Sequence, residues 1–294
     1  MRRDGTRRVT SEGSGGSSLH ITFYGVRGSC PCPSPQNQRY GGNTACTVLE
    51  MPGESPIILD LGTGLRRYGE VQPLDGSFVG TALLTHIHWD HVQGLPFFPP
   101  IDRPGAHLDI YGPVQDEGTL GTVFGDFMRP PYFPVHFSDL RGEIEFHDVD
   151  KDDLEINGAK VKVRAVPHCG PTVGYRIEWG GVVVAYVSDH QAPQSLDTVA
   201  DSVLELCEKA DLLIHDAQYT PEEFEQKAHW GHCTIDYAVQ VAKQAGVKTL
   251  SLFHHDPAHD DETMDQLVAG ARASSVVVGG PVVVAAVDGL TIDL

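Results

Sequence analysis

The sequence predicts an α/β fold in which β-sheets are covered by helices. Three observations point there. Short apolar or alternating runs bounded by turn residues dominate the first half. In the second half, apolar runs alternate with stretches of helical spacing. The 294 residues run without an internal linker, a length that one α/β unit can fill.

The elements follow in order. Leu19 to Val26 alternates and ends in a Gly-rich turn, and Thr44 to Met51 alternates again. Pro56 to Gly62, Gly80 to His86 and His107 to Pro113 are short apolar runs, the pattern of buried strands. From Pro113 to Leu140 aromatics and prolines break the pattern, so a surface excursion is expected, either a lid or a plain insertion. Ala159 to His168 alternates, and Val173 to Trp179 and Val182 to Asp189 flank Gly180-Gly181, a hairpin signal. A helix is expected over Leu196 to Lys209 and a strand over Ala210 to Ala217. Thr234 caps a further helix, with Ile235, Ala238, Val239, Ala242 and Ala245 at helical spacing before Gly246. Lys248 to His255 reads as a strand, Asp261 to Ala273 as a helix, and the closing PVVVAAVDGLTIDL as a hairpin.

Composition narrows the class. With 21 Lys+Arg against 40 Asp+Glu, the formal net charge is −19, a field that repels polyanions. A long nucleic acid is therefore not the expected partner. The six cysteines form no disulfide framework in a chain this long and are expected as thiols. Residues 1–18 carry four arginines and no apolar core, which excludes a secretory signal and suggests a disordered leader before a domain at 19–294. No run approaches the ~20 apolar residues of a membrane span. A soluble cytoplasmic protein is expected, with a homodimer left open.

The chemistry concentrates in THIHWDH, Thr85 to His91. A strand runs straight into it. His86 and His88 are two apart, so in an extended segment their side chains point the same way. Asp90 and His91 follow where the chain turns. Imidazoles and a carboxylate this close suit zinc, manganese or iron. A lone histidine would be read as a surface or core residue; the full spacing argues for a metal site.

This motif resembles the HxHxDH signature of the metallo-β-lactamase superfamily, and the likeness extends to VPHCGP, AYVSDH and TLSLFHHD. The resemblance implies a four-layer αββα sandwich with its ligands at one edge. It implies two divalent cations, zinc with manganese or iron as alternatives. One would be held by His86, His88 and His168, the other by Asp90, His91 and His254, with Asp189 bridging; His255 is the alternative to His254. Asp60 in ILDLGTG looks like the strand-end aspartate that orients the ligands in this family. Asp216 in LLIHDAQY and His232 in GHCT are similar to paired motifs of the tRNA 3′-processing endonucleases and related small-molecule phosphodiesterases, with Asp for Glu and Cys233 for Ser. There the carboxylate orients a histidine facing the leaving oxygen; a histidine bonded locally at a helix entry is the alternative. The Gly-rich segment near the start is also similar to that branch, so Arg27, Tyr40 and Asn43 are candidates to reach substrate.

The resemblance implies a phosphodiesterase acting on a small phosphodiester, such as a cyclic nucleotide or cyclic phosphate. Asp90 would steady the attacking water, and His232, held by Asp216, would protonate the leaving alkoxide. The alternatives are hydrolysis of a lactone, thioester or sulfate ester, or tRNA 3′ processing. The acidic charge and the lack of a basic Gly/Pro-rich arm oppose the last.

Overall fold

A computed structural model describes residues 7–10 and 18–294. Among them the chain forms fifteen strands: β1 (Arg7–Thr10), β2 (His20–Gly25), β3 (Cys46–Glu50), β4 (Ile57–Leu59), β5 (Val79–Leu83), β6 (His107–Pro113), β7 (Glu143–Val149), β8 (Asp153–Ile156), β9 (Ala159–Ala165), β10 (Val173–Trp179), β11 (Val182–Val187), β12 (Leu212–Asp216), β13 (Thr249–Phe253), β14 (Val282–Ala285) and β15 (Leu290–Asp293). The α-helices are α1 (Gly64–Gly69), α2 (Trp89–Val92), α3 (Leu120–Phe127), α4 (Asp201–Cys207), α5 (Pro221–Lys227), α6 (Ile235–Gln244) and α7 (Asp261–Val278). One sheet runs β1-β15-β2-β3-β4-β5-β6-β7, the other β14-β13-β12-β11-β10-β9-β8.

The two-residue period of a strand sorts these side chains into three cores, which makes four layers. Ile57 and Leu59 of β4 point between the sheets, where Leu212 and Ile214 of β12 and Val184 and Tyr186 of β11 meet them. Ile58 points outward to Leu65 and Tyr68 of α1 and to Phe124 of α3. Leu213 points outward on the other side, to Val203 of α4, Ala238 of α6 and Val268 of α7. The order is helix, sheet, sheet, helix, as expected. Gly180 and Gly181 take φ of 59° and 86° and turn β10 into β11, conformations open to glycine.

The elements that position the site are parallel. β4 pairs parallel with β5, and β11, β12 and β13 form a parallel run. The segments leaving their carboxyl ends, together with the turn between β9 and β10, gather at one edge of the sandwich.

Several expectations need correction. The closing segment is not a hairpin: β14 pairs parallel with β13, whereas β15 crosses to the other sheet and pairs antiparallel with β2. The helix expected from Leu196 begins only at Asp201, because α6 side chains take the preceding carbonyls: Gln240 Nε2 donates to Leu196 O at 2.5 Å and the Tyr237 hydroxyl to Thr198 O at 3.0 Å. α7 runs on to Val278, past the expected Ala273, and stops at Gly279 in the left-handed region at φ 64°. The 113–140 excursion contains α3, capped by Thr119. β7, β8 and α5 were not anticipated. β7 is an edge strand in which Glu145 separates Ile144 from Phe146 and only its last residue, Val149, is buried among the described residues. The expected leader lies outside the described residues except for Ser18 and for Arg7–Thr10, which pairs parallel with β15. All six cysteines are free. Among the described residues no helix is long and apolar enough to cross a membrane.

Ile214 lies at the centre of the inter-sheet core and Val277 at the exposed end of α7. Ile214→Ala should lower unfolding free energy by about 2–5 kcal/mol, and Val277→Ser by no more than about 0.5 kcal/mol. Urea denaturation of the two variants checks this contrast.

Candidate metal centre

The Thr85–His91 segment is anchored before it reaches the site. Asp60, just past β4, accepts from the Thr85 amide at 2.8 Å and from the Thr85 hydroxyl at 3.0 Å. Val173 N donates to Thr85 O at 3.0 Å, which ties the segment to the other sheet. His88 is the N-cap of α2, so Asp90 and His91 fall in its single turn and project back toward β5.

All seven residues expected as ligands converge. His86 Nε2 is 2.9 Å from His88 Nδ1, which is 3.3 Å from His168 Nε2. His254 Nε2 is 3.3 Å from His91 Nε2 and 3.1 Å from Asp90 Oδ2. Asp189 stands between these trios: its carboxylate is 3.8 Å from both His86 Nε2 and His168 Nε2, 3.2 Å from His91 Nε2 and 3.4 Å from His254 Nε2. Its Oδ1 is buried without a hydrogen-bond partner.

The outer faces of the rings decide what the inner faces offer. His168 Nδ1 donates to Gly231 O at 2.6 Å, His91 Nδ1 to Asp60 Oδ2 at 2.9 Å and His254 Nδ1 to Gln218 Oε1 at 2.8 Å. His86 Nδ1 faces the Thr85 hydroxyl at 3.0 Å. With Nδ1 of His168, His91 and His254 committed outward, loss of the Nε2 proton turns a lone pair of each of these rings inward. Lone pairs facing one another at about 3 Å repel unless a cation lies between them. Tetrahedral zinc with Zn–N of ~2.0–2.1 Å has ligand–ligand edges of roughly 3.3 Å, the spacing found within each trio. The donor set thus fits divalent cations, and the outer hydrogen bonds are those that orient metal-bound imidazoles.

The electrostatics agree. Burial, then the neighbouring His91, pushes His86 well down, and burial does the same more mildly to His88 and His168. At His91 burial is outweighed by the carboxylates of Asp90, Asp189 and Asp60, which raise it. Asp90 and Asp189 are buried, yet the adjacent imidazoles hold both well below the usual carboxylate range. The cluster is a negative pocket built to take positive charge.

Local backbone makes this packing feasible. Asp60 and His254 have φ of 59° and 57°, left-handed conformations that cost energy outside glycine. Gly28 must be glycine, since a Cβ there would lie 2.3 Å from His254 Nδ1. His254, and not His255, enters the cluster: His255 turns away, donates to Ala286 O at 3.0 Å and is pushed down to about 3 by burial.

Asp216 and His232 also meet. Asp216 Oδ2 accepts from His232 Nδ1 at 3.0 Å and from the His190 amide at 3.0 Å, while Oδ1 accepts from Gln218 N at 3.0 Å. The shorter aspartate needs no intervening water. The buried Cys233 thiol donates to Asp216 O at 3.2 Å. Burial opposes a charge on His232, but Asp216 and then Asp189 outweigh it and raise the ring. His232 lines a cleft of about 640 Å³ together with His88, Trp89, Asp90 and Asp189. Asp116 and Glu117 form part of its wall, and among the described residues no Lys or Arg lines it.

The Gly-rich loop departs from expectation. Arg27 is wholly buried and donates to the carbonyls of Gly41, Asp256 and His259. The Tyr40 hydroxyl is taken by Asp265 and the Asn43 amide by Asp288. None of the three reaches the cleft. Ser29 does, and its amide donates to Asp90 Oδ2 at 2.7 Å. Ser29 and Gln218 were missed because a single polar residue beside a glycine or an aspartate carries no periodic signal.

Residues 57–255 match the family model described as the Beta-lactamase superfamily domain. A relative named Ribonuclease Z from Haloarcula marismortui is 27% identical over 299 residues, covering 87% of this chain and 91% of the relative. Among solved structures, the metallo-beta-lactamase fold protein YhfI from Bacillus subtilis superposes with a TM-score of 0.72 at 19% identity, covering 95% of this chain and 100% of the other. A diphosphatase from the PhnP family gives 0.67 at 22% identity, covering 94% and 97%.

Gln218→Leu removes the acceptor that holds His254 without touching the inward nitrogens. It should weaken divalent-metal affinity by about 10–100-fold while the fold persists. Competition with a chromophoric chelator, alongside circular dichroism, measures both.

Proposed function

The chain belongs to the beta-lactamase superfamily of metal-dependent hydrolases, and on that premise we propose that it is a phosphodiesterase holding two divalent cations and acting on a small phosphodiester, such as a cyclic nucleotide or cyclic phosphate. The observation that carries this reading is the Asp216–His232 pair, fixed beside the ligand cluster and opening on the same cleft. An alkyl phosphodiester departs as a poor alkoxide and needs a proton. Lactones and thioesters need such help less, so an oriented histidine here favours phosphorus chemistry.

We assign the cations, zinc in the first instance with manganese or iron as alternatives, to His86, His88 and His168 on one side and to Asp90, His91 and His254 on the other, with Asp189 shared. Two such ions, when bound, supply Lewis acidity that lowers the pKa of a water toward neutrality and draws charge from phosphoryl oxygens. The remaining work falls to the chain. Asp90, steadied by the Ser29 amide, orients the attacking water. Asp216 accepts the hydrogen bond from His232 Nδ1–H and favours the imidazolium, whose Nε2–H on the cleft side protonates the departing oxygen and leaves His232 neutral. The amides of His190 and Gln218 keep Asp216 from rotating away.

The wall of the cleft supports a small substrate. The relatives' name supports phosphodiester cleavage and keeps tRNA 3′ processing as the second reading. A polynucleotide carries a phosphate at every step and is bound mainly by Lys and Arg. Here, among the described residues, the lining offers Asp116 and Glu117 and no Lys or Arg, within a chain of net charge −19.

His232→Ala should keep its metal and lose about 10²–10⁴-fold in turnover of a cyclic nucleotide, the usual worth of general-acid help. On bis(p-nitrophenyl) phosphate, whose leaving group needs no proton, the loss should be slight. Equal small losses on both substrates would make His232 a structural residue. Efficient trimming of a precursor tRNA by the natural chain, with no turnover of any small diester, would establish the second reading instead.

A further inference from the structure

A second set of ligand-type side chains lies on β6 and β7, away from the cleft. The strands are parallel, and their register places His107 beside Glu143, Asp109 beside Glu145 and Tyr111 beside His147. Alternation puts all six on one face, since Leu108, Ile110, Ile144 and Phe146 pack into the core on the other. Asp109 pairs with Thr81 of β5, five residues before His86, so the group sits roughly 17 Å along the sheet from the metal centre.

The geometry is ordered for side chains near the surface. His147 Nε2 lies 2.7 Å from Asp109 Oδ1, and His107 Nε2 lies 3.1 Å from Asp109 Oδ2. The His147 ring is stacked on Tyr111 at 4.3 Å and 17°, which fixes its plane. One donor atom each from Asp109, Glu145 and His147 lies within 4.8 Å of the others. His107, Asp109 and His147 remain about a quarter to a third exposed, open to an ion from solvent.

The charges do not balance. Asp109 and Glu145 are directly opposed on neighbouring strands, an arrangement of like charges that costs stability. Among the described residues no Lys or Arg pairs with Asp109, Glu143 or Glu145. Two imidazoles and adjacent carboxylates form a donor set that suits a divalent transition-metal ion.

We propose that Asp109, Glu145 and His147 form a separate divalent-cation site of the zinc type, with His107 holding Asp109 in orientation from its other oxygen. The ion fastens the edge strand β7 to β6 and cancels the opposed carboxylates. The site is peripheral: its loss leaves the cleft intact.

Equilibrium dialysis of the full chain against Zn²⁺, followed by metal analysis, tests this. His147→Ala should bind one zinc ion fewer than the natural chain and keep its hydrolytic turnover, with Glu145→Gln as a second variant should the first not fold. His107→Ala should keep the ion with about 10–100-fold weaker affinity. Asp189→Ala, which disrupts the catalytic cluster, should still hold one zinc, and adding His147→Ala should remove it. Equal stoichiometry with and without His147, in both backgrounds, overturns the proposal. So does a loss of zinc in His147→Ala that takes the hydrolytic turnover with it, because the ion would then belong to the catalytic cluster.

Discussion

The buried carboxylate of Asp60 is the interaction on which the rest of the site depends. It is fully enclosed, and an ionised carboxylate in such a place is tolerated only when it is fully hydrogen-bonded. It receives the Thr85 amide and hydroxyl, His91 Nδ1 and the Tyr186 hydroxyl at 2.8 Å. Those partners come from the end of β5, from α2 and from β11 of the opposite sheet. One charge therefore fixes the spacing of the two sheets and the tilt of a ring in the cluster. The left-handed backbone at Asp60 is the strain accepted for that position.

Much of this was legible in the sequence, for identifiable reasons. Ile57 to Leu59 and Leu212 to Ile214 are continuous apolar runs because both faces of each strand are covered, and such runs announce themselves. The seven clustered residues were legible because metal chemistry restricts residue type and strand ends restrict spacing. What stayed hidden depends on pairing at a distance. β14 and β15 read as a hairpin because a short turn separates them, and only the competing edges of two sheets divide them. Arg27 read as a group reaching substrate, but three carbonyls from two loops, those of Gly41 and of Asp256 and His259, hold it. β7 was obscured by its own charge, since half of its side chains face the open part of the sheet.

The cleft carries four carboxylates, Asp90, Asp116, Glu117 and Asp189, while serving, on the proposed reading, an anionic substrate. On that reading cations held by Asp90 and Asp189 would neutralise both carboxylates, and metal loading would set the field at the centre. Asp116 and Glu117 line the same cleft, belong to neither trio and would keep their charge. A single phosphodiester can settle on the ions with its neutral flanks against these carboxylates. A second phosphate on either flank would meet repulsion. Discrimination would then arise from what the periphery refuses, with affinity concentrated at the metal centre.

The crossing of β15 also bears on how the chain assembles during translation. Thr22 and Thr291, whose hydroxyls meet at 2.9 Å, are 269 residues apart. Leu19 and Leu294 exchange backbone hydrogen bonds across a similar span. At ~5–20 residues per second, the ribosome leaves one edge of β2 without its partner for roughly 15–50 s after that strand emerges. During that interval the edge is a row of unpaired amides and carbonyls backed by Ile21 and Phe23, the kind of surface that recruits other strands. Nascent chains on crowded polysomes are thus exposed to intermolecular β-pairing at one defined place. Holding factors that shield extended apolar segments would have the greatest effect there.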